Sequence, residues 1–218
     1  MALLLNSGLV FLHVPKTGGQ TIRHVLREYQ LLANEDDLPV VNSVDWPFRK
    51  DTTDPNIIPH ANYSTLGIDP SVCFAFVRHP LDWYRSQWAF TMTKRGSLET
   101  FLATKPGPDE IDSIGTGNFV DWVTMRLQAY PEGMVSRLYS RYTEGIKFVG
   151  KFEYLKDDLE WILDLPNLQL PKVNSSDPRF LAQAIYPRDL AIRTAETEKQ
   201  AMSLFGYDLA QSSSYIEP

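Results

Sequence analysis

Cysteine is almost absent from this sequence of 218 residues, and Cys73 is its single representative. An internal disulfide is therefore excluded within the chain. Because Cys73 lies in the apolar run from Val72 to Val77, we expect a buried structural thiol and not a nucleophile. Clusters of His, Cys and carboxylate residues at metal-ligand spacing are also lacking, so no metal is expected.

Long apolar runs and an excess of positive charge are missing as well. No run reaches the roughly 18 apolar residues of a membrane span. The N-terminal stretch of Met, Ala and three Leu lacks the basic region that opens a signal peptide, which favours a soluble cytoplasmic protein. The net charge of −6 argues against general nucleic-acid binding, which uses a broad cationic surface. A local pocket for an anion is compatible with that charge.

Strand and helix patterns alternate along the chain, which predicts a single α/β domain over residues 1–218 with a central parallel sheet flanked by helices. The sequence predicts strands from Gly8 to Val14, from Val72 to Val77 and from Ile146 to Val149. Helices are predicted at 20–32, 80–92, 97–104, 117–128, 134–141, 154–164 and 188–204. The polar, Pro-rich segment 33–57 is expected to be a long loop.

The first motif is Pro15-Lys16-Thr17-Gly18-Gly19-Gln20-Thr21, between the first strand and the first helix. A glycine turn before a helix N-terminus offers backbone N–H groups and a positive dipole end to a phosphate. Lys16 adds a charge, and Thr17 and Thr21 add hydroxyl donors. Lys16 precedes the glycines, so the pattern differs from a Walker A loop. An ordinary turn with a solvated Lys16 is the alternative.

Residues Phe11 to Thr21 resemble the 5′-phosphosulfate loop of sulfotransferases that use 3′-phosphoadenosine 5′-phosphosulfate (PAPS). The resemblance is closest to the carbohydrate branch that includes heparan sulfate 2-O-sulfotransferase. It implies a P-loop-like fold and a loop, Lys16 to Thr21, that wraps the phosphosulfate. It also implies that Lys16 contacts the bridging oxygen, where negative charge grows in the transition state. Gln20 stands where Thr or Ser is common in the family.

The second motif runs from Arg78 to Ser86, at the carboxyl end of the second strand and into the next helix. Ligands of open α/β sheets gather at such strand ends, and a guanidinium with a hydroxyl suits a phosphate. An Arg78–Asp82 ion pair beside an incidental Ser86 is the alternative. The stretch from Phe74 to Ser86 resembles the family's 3′-phosphate motif, which implies that Arg78 and Ser86 bind the 3′-phosphate of PAPS. His79 stands where Asn or Asp is common.

A base must remove the proton of the acceptor hydroxyl, and a neutral His has a suitable pKa. His60 lies where a His serves as the base in the 2-O-sulfotransferase relatives, so the resemblance implies that role for it. His13 is expected to be packed, His24 exposed and His79 structural. Glu28 and Glu35 are the alternative bases, because other branches of the family use a Glu downstream of the first loop.

Three later segments extend the resemblance along most of residues 8–208. The stretch from Val149 to Leu159 resembles the family's strand, Glu-x-Leu turn and helix, and is expected to be structural. The polar loop 172–176 lies where the family closes over the nucleotide, so Lys172 and Ser175 are candidate cofactor contacts, with a surface turn as the alternative. The stretch from Phe205 to Tyr207 resembles the C-terminal end of many family domains, and Tyr207 is expected to pack.

The resemblance as a whole implies a sulfotransferase that moves a sulfuryl group in line from PAPS to an acceptor hydroxyl, leaving adenosine 3′,5′-bisphosphate. The expected acceptor is a glycan, a glycolipid or a small molecule, and segments 33–57 and 91–118 are expected to shape its cleft. An ATP-dependent kinase of the same fold is one alternative, although this sequence lacks the Walker A loop that such a kinase would use. A nucleotide-binding regulatory module without catalytic activity is the other.

Overall fold

The computed structural model describes residues 2–33, 62–95, 117–171 and 176–217. The chain divides into two compact units, one made of Met1–Arg78 with Leu138–Asn174 and the other of His79–Arg137 with Ser175–Pro218. The described strands are β1 (Ala2–Leu4), β2 (Val10–Leu12), β3 (Cys73–Val77) and β4 (Phe148–Lys151). The described α-helices are α1 (Gly19–Glu28), α2 (Tyr63–Leu66), α3 (Pro80–Arg95), α4 (Phe119–Ala129), α5 (Met134–Thr143), α6 (Leu155–Leu163), α7 (Pro178–Gln183), α8 (Arg188–Thr197) and α9 (Lys199–Leu204).

The first unit contains a four-stranded sheet in the order β1-β2-β3-β4. Strands β2, β3 and β4 are parallel, as the sequence predicts, but β1 pairs antiparallel with β2. The sheet is therefore mixed, and the prediction of a purely parallel sheet is wrong at this edge. The reason is the short connection through Asn6 and Gly8, where Gly8 has φ 84° and Leu5 donates to the carbonyl of Leu9 over 2.8 Å. So short a turn can only join antiparallel neighbours.

One hydrophobic cluster of the first unit lies on one face of this sheet. Phe11 on β2 and Phe74 and Phe76 on β3 point to that face, because they lie in register or two residues apart. Helix α1 packs Ile22, Val25 and Leu26 against them, at the i, i+3, i+4 spacing of one helix face. Helix α6 contributes Leu155 and Leu159 to the same cluster. These two helices thereby fix the loops at the carboxyl ends of the strands.

Most element boundaries in the described residues lie within a few residues of those predicted. Helix α1 ends at Glu28, four residues before the predicted end, because Gln30 adopts φ 53° and Leu32 forms a β-bridge with Leu5. Strand β4 begins at Phe148, not at Ile146. The predicted helix 188–204 is two helices, α8 and α9, separated at Glu198. The predicted helix at 97–104 lies outside the described residues, and so do most of segment 33–57 and residues 96–116 of segment 91–118.

The second unit is helical and rich in buried aromatic rings. Trp83 and Trp88 on α3 and Trp122 on α4 are each at most 1% exposed. Edge-to-face contacts join Trp88 to Phe119 and Tyr84 to Trp122, with ring centroids 5.5 and 6.0 Å apart. These aromatics therefore account for much of the helix packing in this unit. Among the helices of the described segments, none is both long and apolar enough to cross a membrane.

Candidate anion-binding site

The loop that follows β2 is held in a turn with two left-handed residues. Lys16 has φ 65° and Gly18 has φ 85°, and the hydroxyl of Thr17 donates to the carbonyl of Val14 over 2.8 Å. Left-handed residues within a turn direct successive N–H groups toward one concave side, as anion-binding loops do. Thr17 is 1% exposed, so its hydroxyl proton closes the turn and is not directed at a ligand. The backbone of this residue, and not its side chain, fits the predicted contact.

Both glycines of the loop lie so close to an aromatic ring that there is no room for a side chain. A Cβ atom on Gly18 would lie 2.8 Å from the ring of Phe152, and the positive φ disfavours any other residue there. A Cβ atom on Gly19 would overlap the imidazole of His13, which is 7% exposed and stacks beside Phe11. His13 is thus packed, as the sequence predicts, and its ring lies directly against Gly19 in the first turn of α1.

The N-terminus of α1 adjoins this loop and presents N–H groups that have no acceptor within the helix. The bond from the Ile22 N–H to the Gly18 carbonyl (3.1 Å) is the first of the helix, so the N–H groups of Gly19, Gln20 and Thr21 precede the helical ladder. Gly18 supplies no side-chain cap, and the first turn contains no acidic residue. The positive end of the helix dipole is therefore neither capped nor neutralised within α1 itself, which favours an anion.

Arg78 follows β3 directly, at the same edge of the sheet as the loop after β2. The hydroxyl of Tyr139 holds its backbone from both sides, accepting from the Arg78 N–H (3.0 Å) and donating to the Arg78 carbonyl (2.6 Å). The guanidinium carbon lies 4.5 Å from the centroid of the Phe152 ring. Backbone and side chain of Arg78 are thus held by two different aromatic residues.

Lys16 and Arg78 are 62 positions apart in the sequence, yet the charge of Arg78 acts on the Lys16 amine. Burial, as the larger cause, and the positive charge of Arg78 together lower the pKa of the Lys16 amine from 10.5 to about 8. Both side chains are half-buried. Anionic groups bound beside these two partly buried cations stabilise both charges. The arrangement can therefore bind a phosphate or sulfate ester beside the N-terminus of α1.

Ser86, the second residue of the predicted 3′-phosphate pair, belongs to the second unit. It lies on α3, is 3% exposed, and its hydroxyl is 3.1 Å from the hydroxyl of Ser176. Ser176 directly follows Ser175, and the predicted cofactor contacts Lys172 and Ser175 themselves lie outside the described residues. Asp82, considered as a partner for Arg78, forms an ion pair with Arg85 at 3.3 Å.

The candidate bases are described only in part. His60 and Glu35 lie outside the described residues, so their roles stay predictions. Glu28 is exposed on α1, 4.0 Å from the imidazole of the equally exposed His24. His79 is 1% exposed in the second unit, where its ring contacts the carbonyl of Asp208 (2.9 Å) and the hydroxyl of Ser212. His24 is exposed and His79 is structural, as predicted.

Tyr207 and the segment around β4 also match their structural expectations. The Tyr207 ring packs edge-on against His79 with centroids 5.0 Å apart. The segment after Val149 forms the end of β4, a 3₁₀ turn at Phe152–Tyr154 and helix α6.

Sequence reasoning missed two residues of this site, Phe152 and Tyr139. Both contact Arg78, yet neither belongs to a motif that binds anions. Tyr139 lies among apolar residues of α5, and Phe152 precedes a Glu-x-Leu turn that reads as structural. The available signal for Phe152 was its position directly after a parallel strand, where ligand sites gather.

Comparisons of the chain with protein-family models, with curated proteins and with solved structures find no match.

Proposed function

We propose that this protein is a PAPS-dependent sulfotransferase of P-loop-like fold, which transfers a sulfuryl group to an acceptor hydroxyl. The observation that carries the proposal is the pair Lys16 and Arg78, held half-buried at one edge of the sheet next to an uncapped helix N-terminus. The two residues come from the two motifs that resemble the phosphosulfate loop and the 3′-phosphate motif of that family. A donor that carries a 5′-phosphosulfate and a 3′-phosphate on one ribose offers an anionic group to each of these two neighbouring cations.

The proposed reaction is an in-line displacement at sulfur. The acceptor oxygen forms a new bond to sulfur while the bond from sulfur to the 5′-phosphate oxygen breaks, and the acceptor proton passes to the base, His60 in the proposal. Negative charge then grows on the departing phosphate. The Lys16 ammonium and the N–H groups of the loop stabilise that charge, because they are already oriented in a site with little water. Arg78 binds the 3′-phosphate, and Ser86 stays a predicted second contact.

The P-loop-like character rests on the order of the elements. A parallel strand, β2, leads through a glycine turn into the N-terminus of α1, which is the layout that places a phosphate on a helix N-terminus. Lys16 comes before the glycines, so its amine reaches the ligand from the start of the loop. This departure from a Walker A loop favours a phosphosulfate donor over ATP.

Ligand-dependent thermal unfolding is the first test. Adenosine 3′,5′-bisphosphate at about 100 times its dissociation constant adds about 2.7 kcal/mol to the free energy of unfolding. For a chain of this size we expect a rise of about 5–10 °C in the midpoint, with a smaller rise for AMP. A rise with Mg-ATP alone would replace the proposal with a kinase.

Turnover is the second test, with PAPS and a panel of glycan, glycolipid and small-molecule hydroxyls. Lys16→Ala removes a transition-state contact and is expected to lower kcat/KM by at least about 100-fold. Arg78→Ala removes a charged contact to the 3′-phosphate and is expected to lower kcat/KM about 10- to 100-fold. Arg27→Ala, an exposed change on α1, is the matched control and keeps the activity. Full activity in either of the first two variants contradicts the proposal.

The base is tested separately by comparing His60→Ala, Glu28→Gln and Glu35→Gln. Only the variant that removes the base is expected to lose kcat while the affinity for the bisphosphate is unchanged. Bisphosphate binding without turnover on any acceptor, together with no effect of His60→Ala, points instead to a regulatory module.

A further inference from the structure

The ring of Phe152 lies between the two halves of the anion site in the first unit. One face of the ring contacts Arg78, whose guanidinium carbon is 4.5 Å from the ring centroid. The ring edge lies against Gly18, where a Cβ atom would be 2.8 and 3.0 Å from two ring carbons. The same side chain therefore contacts the loop that carries Lys16 and the strand end that carries Arg78.

We propose that Phe152 is a positioning residue that holds the Arg78 guanidinium for the 3′-phosphate and thereby sets the preference for a 3′-phosphorylated nucleotide. The identity of this ligand rests on the proposed function. Phe152 itself needs no contact with the ligand, because it acts through Arg78.

The physical basis is a guanidinium held over the face of an aromatic ring. A ring attracts the cation through its face and accepts no conventional hydrogen bond from it. Contact with Phe152 therefore restricts where the Arg78 guanidinium lies, while its N–H donors stay available for a phosphate. Arginine also loses side-chain entropy when it binds a ligand, and a side chain that is already oriented loses less.

The chain around Phe152 is itself held in place. The N–H of Lys151 donates to the carboxylate of Asp158 over 2.6 Å, which ties the end of β4 to helix α6. Leu155, in the first turn of α6, lies 3.3 Å from the same Cβ position of Gly18. The position of Phe152 is thus fixed by its neighbours, and its ring can restrict the conformations of the Arg78 side chain.

A double-mutant cycle between Phe152→Leu and Arg78→Ala tests this role, with adenosine 3′,5′-bisphosphate and AMP as the two probes in calorimetric titrations. Phe152→Leu is expected to weaken bisphosphate binding about 3- to 30-fold, the range of a desolvated cation–π contact, and AMP binding less than about twofold. In the Arg78→Ala background the same change is expected to alter bisphosphate binding less than about twofold. A purely structural role of the ring lowers the affinity for both nucleotides in both backgrounds, and that result overturns the inference.

Two further variants control for the loss of an aromatic ring. Phe152→Tyr keeps the stacked ring and is expected to bind the bisphosphate within about twofold of the unchanged protein. Phe148→Leu makes the same change on β4, in a half-buried residue of the same core cluster, and is expected to preserve the preference for the bisphosphate. Phe152→Met provides a second non-aromatic variant should the leucine variant not fold.

A titration of Lys16 separates this inference from the proposed function. If the unchanged protein binds neither nucleotide, the sulfotransferase proposal fails, but the pKa of Lys16 can still be followed by NMR in protein with labelled lysine. Phe152→Leu releases Arg78 from its place near Lys16, so the Lys16 pKa is expected to rise above about 8. A Lys16 pKa that does not change overturns the positioning role.

Discussion

At Lys16, burial and the neighbouring charge of Arg78 both disfavour the protonated amine, and under the proposed function this makes ligand binding depend on pH. Because the pKa is about 8, the amine loses its proton within the range of ordinary assays. An anion binds the protonated form, so the affinity for adenosine 3′,5′-bisphosphate is expected to fall as the pH rises above about 8. Calorimetric titrations at a series of pH values measure the effect.

Lys16→Arg is the control for this pH dependence, because a guanidinium stays charged at every accessible pH. The affinity of the Lys16→Arg variant for the bisphosphate is expected to stay constant above about pH 8, where the affinity of the unchanged protein falls.

The stability of the unliganded protein depends on pH in the opposite sense, because it is expected to increase as the pH rises. Between about pH 8 and 10.5 the unfolded chain binds the Lys16 proton and the folded chain does not, so this residue makes folding more favourable as the pH rises. Equal pH profiles for the two proteins would show that the Lys16 amine does not carry the effect.

Gly18 and Gly8 form a matched pair for measuring the close approach of Phe152. They have almost the same φ, 85° and 84°, but a Cβ atom on Gly8 would meet no atom within 4 Å. Gly8→Ala is therefore expected to cost about 1–2 kcal/mol for its left-handed backbone alone. Gly18→Ala adds the contact with the ring and is expected to cost at least about 1 kcal/mol more in urea unfolding. Equal costs for the two variants would mean that Phe152 moves away without penalty.

The residues of this site differ in how far the sequence could predict them. Lys16, Gly18 and Gly19 are predictable because strand, glycine turn and helix follow one another along the chain. Arg78 is predictable from its place at a strand end. Tyr139 and Phe152 could not be predicted as site residues. Their contacts with Arg78 depend on how α5 and the end of β4 pack against β3, and no local sequence pattern predicts that packing.

At the scale of elements, helices α5 and α9 cap each other through Glu198 and Ser136. The Glu198 carboxylate is fully buried and accepts from the N–H groups of Val135 (3.0 Å) and Ser136 (2.7 Å) in the first turn of α5. In return, the hydroxyl of Ser136 accepts from the Ala201 N–H (3.1 Å) in α9. Tyr84 donates a further bond to Glu198 over 2.7 Å.

Glu198→Ala leaves these buried donors without their acceptor and is expected to lower the free energy of unfolding by at least about 3 kcal/mol. Glu198→Gln keeps one oxygen but turns an NH₂ group toward the donors, so it is expected to cost about 1–3 kcal/mol. Urea unfolding followed by circular dichroism measures both costs. Glu196→Gln, an exposed change two residues earlier, is the control and is expected to stay within about 0.5 kcal/mol. A cost for Glu198→Ala no larger than that of the control would contradict the reciprocal capping.

The same interaction explains why one predicted helix is two. The apolar pattern over 188–204 continues without a Pro or Gly, so the sequence predicts an unbroken helix. The break at Glu198 comes from a tertiary contact, since its carboxylate caps α5.

The sequence pattern does not predict strand β1, for another reason. Asn6, Ser7 and Gly8 form a hairpin turn, but each strand that it joins has only three residues, too few for a clear alternating pattern.

At the scale of the whole chain, four buried tyrosines link folding to alkaline pH. Burial is the largest cause that raises the pKa of each above the ordinary value near 10. The Glu198 carboxylate adds to the effect at Tyr84. Tyr142 belongs to the first unit, and the other three, Tyr84, Tyr186 and Tyr215, belong to the second. Both units therefore contain tyrosines whose ionisation opposes the folded state.

Stability is accordingly expected to fall as the pH rises above about 10. Below that value the tyrosines are protonated in both states; above it they ionise in the unfolded chain while the folded chain keeps them neutral. Each contributes a slope of up to about 1.4 kcal/mol per pH unit, so urea unfolding between about pH 9 and 11.5 is expected to end in cooperative alkaline unfolding. Tyr142→Phe removes the contribution of one tyrosine, so the slope is expected to become shallower by up to about 1.4 kcal/mol per pH unit. A slope that Tyr142→Phe leaves unchanged would show that burial of Tyr142 does not set its ionisation.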